Sequence, residues 1–86
     1  MPQSKSLFII YANNFEYFVL KGAEQIIKKH MPIIYCELWD NQNRTDCISL
    51  LNNLGYSVFV LDKKKLISFD PVSHKKQNFF FIPDSI

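Results

Sequence analysis

Phe79, Phe80, Phe81 and Ile82 form the most concentrated apolar run of the chain. Successive side chains of a strand point to opposite faces, so four consecutive large apolar residues put apolar groups on both faces. Such a run is stable only inside a sheet whose two faces are both covered. The run therefore predicts a strand near the centre of a sheet.

Three or four further apolar segments predict the remaining strands. The first runs from Leu7 to Tyr11, and later candidates lie at 58–61 and, as a shorter strand, at 66–69. The segment 33–38 is almost continuously apolar rather than alternating, which is typical of parallel strands covered on both faces. We therefore expect it to be a buried strand.

A helix is expected between the first two of these strands. From Phe15 to His30 the apolar residues recur at three- and four-residue steps, and Pro32 prevents the helix from continuing. Gly22 interrupts this pattern, so either the helix breaks there or it packs closely on the sheet. The apolar residues assigned to one face of this helix are Phe15, Val19, Leu20, Ala23, Ile26 and Ile27.

A second amphipathic helix is expected after the buried strand. Asn43, with Asp46 three residues later, resembles a capping box at its start. Gly55 can adopt the left-handed conformation that closes a helix, and Tyr56 then supplies a hydrophobic contact to the last turn. Together these elements predict an open α/β sheet of about four mostly parallel strands with helices between them.

The composition indicates one folded domain over residues 1–86, with a flexible start at 1–6, because 48% of the residues are hydrophobic and 21% charged. A net charge of +2 is too close to balance to indicate nucleic-acid binding. No apolar run has the length of a membrane span and no secretion signal is present, so we expect a cytoplasmic protein. Cys36 and Cys47 are then expected to be reduced and buried, and their surroundings lack the spacing of metal ligands.

Ligands of open α/β sheets collect beyond the carboxyl ends of the strands. After the first strand this position holds Asn13, Asn14 and Glu16. In the simplest interpretation Asn13 or Asn14 caps the following helix, and Glu16 is favoured in its first turn by the helix dipole. The alternative is a site in which Glu16 is catalytic and the two asparagines bind substrate.

The second strand ends at Glu37, which is followed by Trp39 and Asp40. Burying a carboxylate at the end of an apolar strand costs free energy unless it is paired, so Glu37 lies either at a wet rim or among partners. It is the second catalytic candidate, and Asp40 and Trp39 are substrate-binding candidates. The commoner explanation for Trp39 is an aromatic that covers the end of the sheet. With only two glycines, the chain has no glycine-rich loop for a nucleotide cofactor.

Three segments together resemble a known family. They are FIIYANNFEYFVLKGAEQIIKKHMPIIYCELWD, LLNNLGYSVFVLD and NFFFIP, spanning Phe8 to Pro83. This combination is similar to the carboxyl-terminal half of the FkbM-family methyltransferases. The resemblance implies a Rossmann-like, doubly wound sheet whose last strand inserts antiparallel between its neighbours. It also implies methylation of hydroxyl groups with S-adenosylmethionine.

The sequence departs from the family pattern in two ways. Where the family reads roughly I-D-V-E-G-F-E, Tyr11, Asn13 and Asn14 replace the aspartate, glutamate and glycine, whereas Phe15 and Glu16 are kept. The family's amino-terminal half, with its cofactor loop, has no counterpart here. The resemblance therefore implies no cofactor in the isolated chain, and S-adenosylmethionine only if a separate amino-terminal half completes the site.

These observations favour a truncated FkbM-like domain that is not catalytic alone and acts through association. In the full fold the strand from Leu7 to Tyr11 would be interior, so here its hydrogen-bonding edge would be unpaired. We therefore expect a homodimer through this edge. The alternative is an active O-methyltransferase completed by a separate amino-terminal half, with Glu16, Glu37 and Asp40 on the acceptor side.

Overall fold

The computed structural model describes residues 6–71 and 77–84. The predicted flexible start lies outside these residues except for Ser6. Three helices and five strands are formed by the described part of the chain. In chain order they are β1 (Leu7–Ile10), α1 (Glu16–Gly22), α2 (Glu24–His30), β2 (Ile33–Glu37), α3 (Gln42–Asn53), β3 (Tyr56–Asp62), β4 (Lys65–Ser68) and β5 (Asn78–Pro83).

The strands form one mixed sheet in the order β1-β2-β5-β3-β4. Only β1 and β2 pair in parallel, whereas the pairs β2–β5, β5–β3 and β3–β4 are antiparallel. The prediction of about four mostly parallel strands is therefore wrong. The physical reason lies in the connections: β3 and β4 are joined by Lys63 and Lys64 alone, and two residues can only reverse the chain into a hairpin.

β5 lies in the middle of the sheet, as the apolar run predicts, and is antiparallel to both neighbours. Phe79 and Phe81 are completely buried, whereas Phe80 and Ile82 on the opposite face are only partly buried. The expected cover on both faces is therefore not found among the described residues. One face of the sheet carries the helices and the core, and the other does not.

The core lies between the sheet and the three helices. Ile34 and Cys36 of β2 alternate with residues of the other face, and Tyr56 and Val60 of β3 do the same. From the helices, Leu20, Ile27, Cys47 and Leu51 close this core, and all four are completely buried. Burial of each such aliphatic side chain contributes about 1.5–3 kcal/mol.

The second face of the sheet has none of the described helices packed on it, and we call it the open face. The strand registers put Ile9, Tyr35, Phe80 and Phe59 in one row across this face, with the Tyr35 and Phe80 rings 4.9 Å apart. Its full set of residues is Leu7, Ile9, Ile33, Tyr35, Glu37, Ser57, Phe59, Leu61, Leu66, Ser68, Asn78, Phe80 and Ile82. Most of this surface is apolar.

Gly22 ends α1, and a separate helix begins at Glu24, so the predicted break is confirmed. The alternative of close packing is wrong, because a Cβ added at Gly22 would have no atom within 4 Å. The predicted apolar face is also wrong in part, since Phe15, Val19 and Ile26 are exposed. The buried side of α1 is instead formed by Glu16 and Leu20, four residues apart on one side of the helix.

α3 begins two residues earlier than predicted but ends where it was expected. Its N-cap is Asn41, whose side-chain oxygen accepts a hydrogen bond from the Arg44 backbone amide at 3.3 Å, so Asn43 is not the cap. Gly55 has a φ of 94°, and the helix ends two residues before it, at Asn53. The predicted left-handed closing glycine is confirmed.

Cys36 and Cys47 are free and buried, as predicted. Among the described residues, no helix combines the length and the apolar character that a membrane span needs.

The two glycines differ in backbone conformation and surroundings, so substituting each by alanine gives a matched pair of tests. Gly22→Ala should stabilise the fold by about 0.5–1 kcal/mol, because the added methyl group meets open space and alanine favours the helix. Gly55→Ala should destabilise it by about 1–2 kcal/mol, because its φ of 94° is strained for an L-residue. Urea unfolding of both variants checks this, and effects of the same sign at both positions would contradict it.

Candidate functional site

The carboxyl ends of β1 and β2 lie side by side because these two strands are parallel. After β1, Asn13 and Asn14 form a tight turn with φ values of 50° and 76°, and the Phe15 amide donates to the Ala12 carbonyl at 3.0 Å. Asparagine tolerates this left-handed conformation better than most residues. The prediction that Asn13 or Asn14 caps the helix is wrong, because the N-cap is Phe15 and no side chain caps α1.

A cleft of about 230 Å³ opens at this end of the sheet. Asn13 and Glu16 from the first turn line it, together with Glu37 and Trp39 from the end of β2. Tyr11, which follows β1, completes the lining. The structure thus brings four of the six predicted site residues together in the cleft. Their catalytic and substrate-binding roles stay predictions.

The other two predicted residues make contacts along the second turn and do not line the cleft. Asn14 accepts a hydrogen bond from the side-chain amide of Asn41 at 3.0 Å, which ties the two turns together. Asp40 forms an ion pair with Arg44 at 2.7 Å. The Arg44 guanidinium also lies 5.5 Å from the ring centres of Phe69 and Phe79, which keeps it against the sheet.

Glu16 is buried at 2% exposure, and both of its carboxylate oxygens accept hydrogen bonds from the chain. Oε2 accepts from the Ala12 backbone amide at 3.1 Å, and Oε1 accepts from the side-chain amide of Asn43 at 2.9 Å. Hydrogen bonds to an ionised acceptor are among the stronger ones in proteins. Glu16 therefore holds the turn after β1 against α3.

Two residues of this site were not among the predicted ones: Tyr11, which lines the cleft, and Asn43, which binds Glu16 behind it. Besides donating to Glu16, its Oδ1 accepts from the Tyr17 backbone amide at 3.0 Å. The Cys47 thiol lies 3.9 Å from the same oxygen. A polar residue four positions before a buried cysteine on α3 was the available signal, and it was assigned to the helix cap instead.

The two thiols behind the cleft are poor nucleophiles at neutral pH. Burial, followed by the nearby Glu16 carboxylate, raises the pKa of Cys47 to about 12. Burial also raises the pKa of Cys36, to which the neighbouring Cys47 and Glu16 add. Because the thiolate is the reactive form, covalent catalysis through either cysteine is disfavoured.

Glu37 differs from Glu16 in being half-buried and in having a side chain that makes no hydrogen bond or ion pair within the described residues. It lies on the open face opposite Asn78 of β5. Burial, together with the charges of Glu37 and Tyr11, raises the pKa of Tyr35 above its usual value. Glu37 is thus the one carboxylate of the cleft whose oxygens are not engaged by the described chain.

The cleft therefore contains one engaged carboxylate, one available carboxylate, an amide and two aromatic rings. None of the lining residues is a histidine, lysine or arginine. No group of three or more potential metal ligands occurs among the residues that the structure describes. Such a lining can accept and donate hydrogen bonds and can stack on a ring.

Comparisons with known proteins return no match: no family model fits the chain, and neither a curated protein nor a solved structure is significantly similar to it. The resemblance to the FkbM family therefore depends on the sequence motifs alone.

Glu16 and Glu37 are a matched pair for separating a structural carboxylate from an available one. Glu16→Gln should destabilise the fold by about 1–3 kcal/mol, because the new amide group would face a hydrogen-bond donor. Rotating the Asn43 side-chain amide by half a turn would not remove this contact between two donors, because the Asn43 oxygen accepts a hydrogen bond from the Tyr17 backbone amide. Glu37→Gln should change stability by less than about 0.5 kcal/mol. Urea unfolding measures both, and equal losses would contradict the assignment.

Proposed function

We propose that this chain is a non-catalytic domain that acts through association, by adding an extended strand to the outer edge of β1. In this mode the backbone of the added strand supplies hydrogen bonds, and its side chains supply apolar contacts. The single observation that carries the proposal is the concentration of exposed apolar residues in the segment that begins with β1.

Ten large hydrophobic residues are exposed among the described residues, and seven of them lie within residues 7–26. That segment comprises β1 and the two helices that follow it. The seven are Leu7, Ile9, Tyr11, Phe15, Phe18, Val19 and Ile26. Single exposed apolar residues are normal on a protein surface, but seven within one segment of twenty residues favour an interaction site there.

The outer edge of β1 carries none of the side chains that usually block strand addition. Its residues are Leu7, Phe8, Ile9 and Ile10, without a charge, a proline or a glycine. The opposite edge of the sheet, β4, begins at Lys65 and follows Lys63 and Lys64 in the hairpin turn. Lysines are a common means of protecting an edge strand, so β4 is protected and β1 is not.

The direction of the backbone groups supports the same edge. The Ile33 amide donates to the Ser6 carbonyl, so the backbone groups of Ser6 point towards β2. Because these groups alternate along a strand, those of Phe8 and Ile10 also point to β2, and those of Leu7 and Ile9 point outwards. An added strand would pair with Leu7 and Ile9.

A labelled peptide of residues 5–12 tests the proposal. It should bind the chain with a saturable increase in fluorescence anisotropy, and Ile9→Pro in the chain should abolish binding by removing an outward amide. Proline is tolerated on the solvent side of an edge strand, so this variant should stay folded. Leu66→Lys, on the protected edge, should bind as the unmodified chain does. A chain that is monomeric and does not bind the peptide overturns the proposal.

A second candidate follows from the cleft and from the resemblance to FkbM methyltransferases. In it, a separate amino-terminal half would bring S-adenosylmethionine to the cleft, where Glu37 has available oxygens to meet an acceptor. The described chain has no glycine-rich loop for the cofactor. This is why the non-catalytic proposal is preferred.

Calorimetric titration of S-adenosylmethionine into the chain separates the two candidates. We expect no saturable heat, because the available carboxylate is not accompanied by a cofactor loop. A saturable heat that disappears in the Glu37→Gln variant would overturn the non-catalytic proposal. Glu24→Gln is the matched control, because Glu24 pairs with Lys21 and Lys28 and does not line the cleft.

A further inference from the structure

We infer that the strand added to β1 is β1 of a second copy, so that two chains form one continuous ten-stranded sheet. This inference rests on the proposed function, since it names the partner of the same edge. It also goes further, because the register and the symmetry of the pairing follow from the backbone.

Symmetry restricts how β1 can pair with itself. Two identical antiparallel strands are related by a two-fold axis, and residues directly opposite each other must point to the same face of the sheet. Phe8 and Ile9 point to opposite faces, so neither can lie opposite the other. The axis must therefore pass beside a single residue, and the two central candidates are Phe8 and Ile9.

The length of β1 selects between these two registers. With the axis beside Phe8, Leu7 of each copy lies opposite Ile9 of the other, and the outward backbone groups of both residues can form four hydrogen bonds. With the axis beside Ile9, the flanking outward residue Leu7 would need Tyr11 as its partner. Tyr11 lies beyond the end of the strand at Ile10. The register centred on Phe8 is therefore favoured.

Charge also favours a second copy as the occupant. Glu16 is the only charged residue between positions 7 and 20, and it is buried. Two copies can thus bring this segment together without like charges meeting across the axis. This segment presents no exposed charge with which a charged partner could pair. A second apolar edge, in contrast, would cover Leu7 and Ile9.

The pairing also predicts the shape of the assembly. The two-fold axis is normal to the sheet, so the helices of both copies lie on one side and both open faces lie on the other. Leu7 and Ile9 of each copy then join the two open faces into one apolar surface.

Sedimentation and light scattering at micromolar concentration test the pairing. The unmodified chain should have twice the 10.1 kDa mass of one copy. Ile9→Lys should convert it to a folded monomer, because Ile9 is 62% exposed in a single copy and tolerates the charge. Leu66→Lys, at a 43% exposed position on the opposite edge, should leave the dimer intact. Circular dichroism checks that both variants are folded.

Disulfide trapping tests the register. A mixture of the Leu7→Cys and Ile9→Cys chains should form a cross-linked pair under mild oxidation, whereas neither chain alone should. Opposite residues of antiparallel strands have the Cα separation that a disulfide needs. Cys36 and Cys47 are buried and should not interfere.

The outcomes distinguish this inference from the proposed function. A monomer that still binds the peptide of residues 5–12 overturns the second copy as partner and leaves strand addition standing. A dimer that survives Ile9→Lys but not Leu66→Lys overturns the β1 edge as the interface. Cross-linking of Ile9→Cys with itself overturns the register centred on Phe8.

Discussion

The position of β5 between β2 and β3 is the constraint on which the rest of this structure depends. Its Phe79 and Phe81 side chains fill the centre of the core, and its backbone pairs with a neighbour on each side. Because β5 is antiparallel to both neighbours, β2 and β3 share one direction. β1 pairs in parallel with β2, so the carboxyl ends of these two strands meet at one edge, where the cleft forms.

The link between Glu16 and Asn43 determines what that cleft can do. Placing a carboxylate in the interior is costly unless hydrogen bonds satisfy it, and here the Ala12 amide and the Asn43 side chain do so. The same bonds commit Glu16 to holding two turns together. The cleft is left with Glu37 as its available carboxylate, while seven of the exposed large hydrophobic residues of the described chain lie within residues 7–26. Both observations favour association over catalysis.

Features that depend on neighbouring residues could be predicted from the sequence, and features that depend on distant contacts could not. The break at Gly22 and the helix stop at Gly55 follow from local backbone preferences, and both were found. The α1 face was mispredicted because Glu16 turns inwards to a residue of α3, which leaves Phe15 and Val19 exposed. Asn43 was taken for a cap for the same reason, since its partners are 26 and 27 residues away.

The sequence by itself determined that residues 79–82 form a central strand, that polar residues follow β1 and β2, and that the β1 edge carries no blocking charge. These follow from side-chain size, alternation and charge, which are properties of short segments. Only the tertiary structure decided that three of the four strand pairs are antiparallel and that all three described helices pack on the same face of the sheet. Strand order and helix placement depend on which distant surfaces bury one another, and no short segment specifies that choice.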